Sequence, residues 1–417
     1  MRVRGWTSAL WLAIPLCAPA AGEVVPHGFA QAGYAARITG ASLPSGGGDF
    51  LVGEERLQLS LSGAIPAGAG GFSAKVDFFH DAVAGEMSLE IRETYLDLGG
   101  AKVGARVGRQ IITWGTGDLL FINDVFPKDW TALFTGRPLE YLKIGSDALK
   151  VTAQVGAVAL DAVAVPFFEP DRLPSAERFF LFDPFPEVTR RTAEEPRSDL
   201  GNTELALKVS ASLSGWDLAL YAHRGYYRTP IMVPDGTATP PSLSMRYPRR
   251  NVYGASGRGA ALGGVVSLEA GYYDSREDQR GTNPLLPNSQ ALFLAGYQRQ
   301  LSADFTVGLQ YYGERILRYD RYLSNPPPGF LKQDELRQLV TARLTRLWKY
   351  QTWKLSLFGY WSPTDQDFYL IPELWHSLAD GVWVSAGANV FGGRSETSFF
   401  GQLDKNDNVY VNVRYEF

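Results

Sequence analysis

The stretch "NVYVNVRYEF", residues 408–417, decides how the rest of the chain is read. Val409, Val411, Val413, Tyr415 and Phe417 alternate with Tyr410, Asn412, Arg414 and Glu416. An extended segment with this order carries one wholly apolar face and one mostly polar face. A strand on a half-solvated soluble sheet would look the same. The choice depends on how often the pattern recurs and on what lies between its repeats.

It recurs from end to end. Leu57, Leu59 and Leu61 alternate with Gln58, Ser60 and Ser62, and Phe72, Ala74, Val76 and Phe78 with Ser73, Lys75, Asp77 and Phe79. Leu205, Leu207, Val209, Ala211 and Leu213 oppose Glu204, Ala206, Lys208, Ser210 and Ser212, and Trp216, Leu218 and Leu220 oppose Asp217, Ala219 and Tyr221. Phe305, Val307, Leu309 and Tyr311 do the same against Thr306, Gly308, Gln310 and Tyr312. Segments of about ten residues with one lipid-compatible and one polar face are the signature of a transmembrane β-barrel. Lipid leaves no backbone group free to bond water, so such a sheet must close. The fold class expected is all-β, an antiparallel up-and-down barrel of roughly eighteen strands, with sixteen as the alternative.

Short connections fall at 99–100, 155–157, 214–215, 262–263, 302–303, 348–351 and 377–380. Long ones, about 111–146, 168–201, 228–249, 276–288, 318–332 and 392–406, lie between them. Short periplasmic turns against long external loops is the asymmetry of outer-membrane barrels, and an even strand count puts both termini in the periplasm. The N-terminal "MRVRGWTSALWLAIPLCAPAAGE" has Arg2 and Arg4, a short apolar run and small residues for cleavage, so 1–22 reads as a signal peptide and 23–417 as the barrel. A lipoprotein signal using Cys17 is the rival reading. Cys17 is the one cysteine, so the mature chain has no disulfide and no thiolate ligand. No later run reaches the length of a membrane helix. A net charge of −4 gives no basic surface for nucleic acid.

With the polar face inward, the lumen wall should present Arg56, Lys75, Arg106, Lys208, Arg337, Arg343, Lys354 and Arg414. Among its acids are Asp77, Glu93, Asp97, Glu204, Asp217, Glu269, Glu314 and Glu416. The strands near 88–98 and 250–261 break the alternation and resist a face assignment. One connection stands out: "GRQIITWGTGDLLFINDVFPKDW", residues 108–130, is long, semi-apolar and charged. It is the third external loop. Folded inward, it would set the pore constriction with Arg109, Trp114, Asp118, Asn123, Asp124, Lys128 and Asp129. The other reading is an external lid.

"RETYLDL" (92–98), "VGRQIITWG" (107–115), "NDVFP" (123–127) and the tail from Ser377 resemble porin-like outer-membrane barrels. These include families akin to alginate-export and phosphate-selective porins. The terminal Tyr415 and Phe417 resemble the signal read by the barrel-assembly machinery. The resemblance implies a channel. Neither a lysine cluster nor an arginine-rich lumen matches here, so no substrate follows from it.

No Gly-x-Ser-x-Gly, His-Glu-x-x-His or Walker motif occurs, and no enzyme is expected. His223 reads as a satisfied lumen histidine rather than a base. "DKND" (404–407) lacks the glycine and distal glutamate of a calcium loop. No metal or cofactor is expected. The expected function is passive diffusion of small hydrophilic solutes. The alternatives are a dedicated exporter or importer of an acidic polymer or organic substrate, and a structural barrel sheathing a partner such as a cytochrome. Expected partners are outer-membrane lipid and lipopolysaccharide, the assembly machinery and the solute. Homo-oligomers are compatible with all of these.

Overall fold

The computed structural model describes residues 2–4, 25–43, 48–65, 70–100, 102–235, 241–324 and 332–417. Apart from Arg2–Arg4, the expected leader lies outside these. Eighteen antiparallel strands close into one barrel. In chain order they are β1 (Val25–Arg37), β2 (Phe50–Ile65), β3 (Gly70–Asp81), β4 (Glu86–Gly99), β5 (Val103–Gln110) and β6 (Ser146–Val155). Then follow β7 (Val158–Val165), β8 (Glu204–Leu213), β9 (Trp216–Tyr226), β10 (Arg249–Ala261), β11 (Gly264–Ser275) and β12 (Gln290–Ser302). The last six are β13 (Phe305–Ile316), β14 (Leu336–Trp348), β15 (Trp353–Ser362), β16 (Asp367–Ala379), β17 (Val382–Gly393) and β18 (Asn408–Glu416).

The seam pairs β1 with β18, from Phe29 opposite Glu416 to Arg37 opposite Asn408. Gly28 and Phe417 extend it by exchanging two backbone hydrogen bonds of 2.9 Å. Closure removes the sheet edge that lipid would not tolerate.

The apolar rows face outward. Leu57, Leu59, Leu61, Leu205, Leu207, Leu309, Val409, Val411 and Val413 are all exposed. Their neighbours Arg56, Gln58, Glu204, Ala206, Gln310, Asn412 and Arg414 are buried inside. Both ambiguous strands now have a physical account. In β4 the pairing slips between Glu93 and Ile91, leaving Arg92 as an extra residue. Such a bulge breaks the two-residue period. In β10 the inward row is Arg250, Val252, Gly254, Ser256 and Arg258, and its apolar and glycine members hide the alternation.

The connections alternate as expected, with two exceptions at the long-loop end. Residues 82–85 and 363–366 are tight turns. The Asp81 carboxylate closes the first by accepting from the N–H groups of Val83 and Ala84, both at 3.1 Å. Ser362 and Asp365 close the second through their side chains. The long loops also build a three-stranded sheet from Arg190–Glu194, Ile231–Asp235 and Ser242–Arg246, which strand periodicity in the barrel did not foreshadow.

The face assignment has a direct test. Leu309→Arg puts a charge on the outer face near mid-strand and should cost roughly 2–4 kcal/mol. Lys208→Ala, on the inner face, should change unfolding in detergent or bilayers far less. Equal losses would reverse the assignment.

Candidate functional site

Between β5 and β6 the chain leaves the wall and packs against inward-facing residues of β2, β11, β13, β15, β16 and β18. Residues 111–129 are extended and irregular, followed by a short helix α1 (Trp130–Phe134) and a 3-10 turn (Leu139–Leu142). Asp129 caps α1: its Oδ1 accepts from the Ala132 N–H at 2.8 Å. That bond satisfies one of the free donors at a helix start.

The loop is fastened to the wall by polar groups. The Glu269 carboxylate on β11, 4% exposed, accepts five hydrogen bonds from the loop. They come from the backbone N–H groups of Thr116 (2.8 Å), Gly117 (3.2 Å) and Asn123 (2.8 Å), from Thr116 Oγ1 and from Asn123 Nδ2. Onward around the barrel, Gln310 brackets Asp118 by accepting from its N–H and donating to its carbonyl. The hydroxyls of Tyr273, Tyr360 and Tyr369 donate to the carbonyls of Ile122, Leu119 and Leu133. Asn408 and Asn412 on β18 donate to Phe134 and Gly136. Arg137 pairs with Glu54 on β2, and Arg414 with Glu140. These contacts keep the loop's buried backbone from being orphaned.

Apolar contact supplies the rest. Trp114 packs edge-on against Phe126 at 5.1 Å, and Phe134 edge-on against Tyr369 and Phe391, both at 5.6 Å. Two wall glycines let the loop approach. A Cβ at Gly254 would lie 1.8 Å from Asn123 Oδ1, and one at Gly271 would lie 2.6 Å from Ile122 Cγ2. Neither distance is possible, so close packing here requires glycine.

The expected constriction residues divide sharply. Asp118 borders open space and pairs with Arg343 of β14, with Nη2 to Oδ1 at 2.8 Å. The other six are enclosed. Trp114 and Asn123 are buried in the loop–wall seam. Asp124 is paired with Lys128 and Lys143, and Asp129 lies 3.7 Å from Arg172. Arg109 binds Asp147 and Glu169, both at 3.1 Å. Of the expected wall charges, Arg56 pairs with Glu54 and Asp77, Lys75 with Glu93, Arg106 with Asp97, Arg337 with Asp365 and Lys354 with Glu373. Lys208 faces inward, half-buried. The loop's fasteners were not named from sequence as such. The inward amides of β18, Asn408 and Asn412, were the available signal: an amide in a lumen strand offers a donor to a neighbouring backbone.

Two cavities flank the loop along one strip of wall. On the short-turn side, about 380 Å³ is lined by Thr116, Asp118, Arg258, Gln310, Thr341 and Arg343 among others. On the long-loop side, about 160 Å³ is lined by Leu120, Phe121, Trp130, Phe134, Tyr360 and Phe400, with Arg337 at its edge. Asp118 lines the first and Leu120 the second. Leu119 holds a left-handed backbone, φ 55°, between these two residues. Such a conformation is costly for a leucine and is held by its surroundings.

Burial pulls the Lys128 ammonium down to about 8, against the upward pull of Asp124. Above that pH the neutral amine still donates to the carbonyls of Asp124 and Phe126. The folded chain then binds fewer protons than an unfolded one between about 8 and 10.5, so loop docking strengthens as pH rises through that window. The loop also loses one positive charge. Raising pH across this value should move the reversal potential toward cation preference, and Lys128→Met should abolish that step. Glu269→Ala should free the loop, since a hydrogen bond to a charged group is worth about 1.5–3 kcal/mol. Noisier, larger conductance and new protease cuts within 111–145, in a barrel that remains folded, are the expected readouts.

Several solved outer-membrane proteins match over most of their length at low identity. OmpT of Vibrio cholerae, in its trimer form, is 11% identical with a TM-score of 0.44, covering 95% of this chain and 100% of that one. A mutant of Rh. blastica porin is 16% identical with the same TM-score and coverage. No curated protein matches the chain. The profile of one family, described as "Protein of unknown function (DUF1302)", matches residues 80–382. The chain therefore belongs to the DUF1302 family.

Proposed function

We propose that the protein is a passive channel of the Gram-negative outer membrane. Its short turns face the periplasm and its long loops face outward. Its route runs between the inward loop and the inner face of β13, β14 and β15. The observation that carries this reading is the pair of cavities on one strip of wall, with Asp118 lining one and Leu120 the other. The partition at residues 118–120 is held by hydrogen bonds from Gln310 and Tyr360 and by the Asp118–Arg343 pair. A charged pair at a narrow point dominates what passes it.

The two chambers also suggest the class of solute. The periplasmic one is lined largely by hydroxyl, amide and charged groups. The outer one is aromatic, and its volume of about 160 Å³ is close to the roughly 150 Å³ cavity that holds one benzene ring. Small organic solutes with one apolar ring and a polar group suit both. This favours selective passage over general diffusion of hydrophilic solutes, and it lends weight to the second reading, a dedicated carrier of an organic substrate.

Planar-bilayer recording tests the route. Arg343→Gln and Asp118→Asn should each raise conductance by loosening the partition, and they should shift ion preference in opposite directions. Liposome swelling should favour a ring-bearing acid or alcohol over a sugar of similar mass, and Trp130→Ala should weaken that preference. Unchanged conductance in both charge variants would place the route elsewhere. Equal swelling with both solutes would return the protein to the general-diffusion class.

A further inference from the structure

The outer wall carries one feature that a channel does not need. Across β6 to β10, a groove of about 590 Å³ opens to the outside. Its floor is a set of small residues, Ala162, Ala164 and Ala222, and its sides are Leu149, Leu205, Leu207 and Tyr253. Strand register explains the shape. Leu149, Ala164, Leu205, Arg224 and Asn251 stand in one row across five strands. The neighbouring row is Val151, Ala162, Leu207, Ala222 and Tyr253. Alanines between larger side chains leave a furrow.

The long-loop end of the furrow is closed by two arginines, Arg224 and Arg276. Arg224 is exposed and Arg276 is half-buried. Neither guanidinium forms an ion pair or a hydrogen bond among the described residues. Of the acids nearby, Asp274 accepts one amide hydrogen bond from Asn251 Nδ2 at 3.1 Å, and Glu277 accepts from the Arg249 N–H and from Arg246; neither pairs with Arg224 or Arg276. Outward arginines on a lipid-facing wall are unfavourable at depth and tolerable only near an interface. Two without a carboxylate, at the mouth of an apolar furrow, call for an anion that brings a hydrocarbon tail.

The geometry points to a specific lipid site: Arg224 and Arg276 hold a phosphate of an outer-leaflet phosphorylated glycolipid, and one acyl chain lies over Ala162, Ala164 and Ala222. Arginine matches phosphate oxygens with paired N–H donors. The arginines stand at the end with the long loops, where the outer leaflet supplies such headgroups. A second copy of the chain meeting this face about a two-fold axis would bring the two arginine pairs together.

The test uses the full barrel in detergent with hexa-acylated lipid A as probe, read by native mass spectrometry. Wild type should retain lipid A, and Arg224→Gln/Arg276→Gln should retain roughly tenfold less. Ala222→Trp fills the furrow and leaves both guanidiniums in place. It should weaken retention as well, and it serves if the double variant does not fold. Phosphatidylglycerol should compete poorly. Equal retention by wild type and both variants overturns the site. So does equal binding of phosphatidylglycerol, or loss of an oligomer rather than of lipid in the arginine variant, which would make the face a contact between copies.

Discussion

One buried carboxylate organises the interior. Glu269 lies on a wall strand, yet its two oxygens are spent on a loop more than a hundred residues earlier in the chain. A carboxylate removed from water needs its lone pairs filled, and N–H donors from a turning backbone fill them well. The turn at Thr116 and Gly117 and the bend at Asn123 bring three backbone donors to one point. The cost of burying the charge and the cost of burying the loop backbone thus cancel against each other. Ile122 and Asn123 can then sit against Gly271 and Gly254. The aromatic cluster around Phe134, Tyr369 and Phe391 forms where the loop meets the opposite wall.

The charges of the lumen divide into two kinds as a result. Asp124, Asp129, Lys128 and Arg109 sit beside opposite charges or carbonyls within the protein. They fix geometry and present little net field. Asp118 and Arg343 meet at the border of open space, where their field extends into the cavity. Charge counting along the inner rows does not distinguish these kinds. Distance and enclosure do.

The barrel was legible because the two-residue period is imposed on every strand by lipid outside and polar contact inside. Leu205 to Leu213, and Val409 to Tyr415, carry it without a break. The period failed at Arg92, where a bulge adds a residue, and in β10, where the inner face meets a protein loop rather than water. That 111–146 is a long connection of mixed polarity was readable. Its fastening was not, because no local pattern says that Glu269 should face Asn123 or that Asn412 should face Gly136. Those pairings come from closing the barrel, which brings residues far apart in sequence onto one inner surface. The small sheet of the long loops escaped for the same reason. Its three short strands come from two loops, and each is too brief to show a period.

The loop's position in the chain has a consequence for assembly. It is made after β5, but most of its partners belong to strands made later: Glu269 on β11, Gln310 on β13, Tyr369 on β16, Asn412 on β18. Contacts of such high sequence separation form late, because loop-closure entropy is spent before they reward it. The loop therefore has no seat until the second half of the sheet exists and β18 has met β1. This strap is the last part of the interior to find its contacts, and its seating is the natural mark that the wall around it is complete.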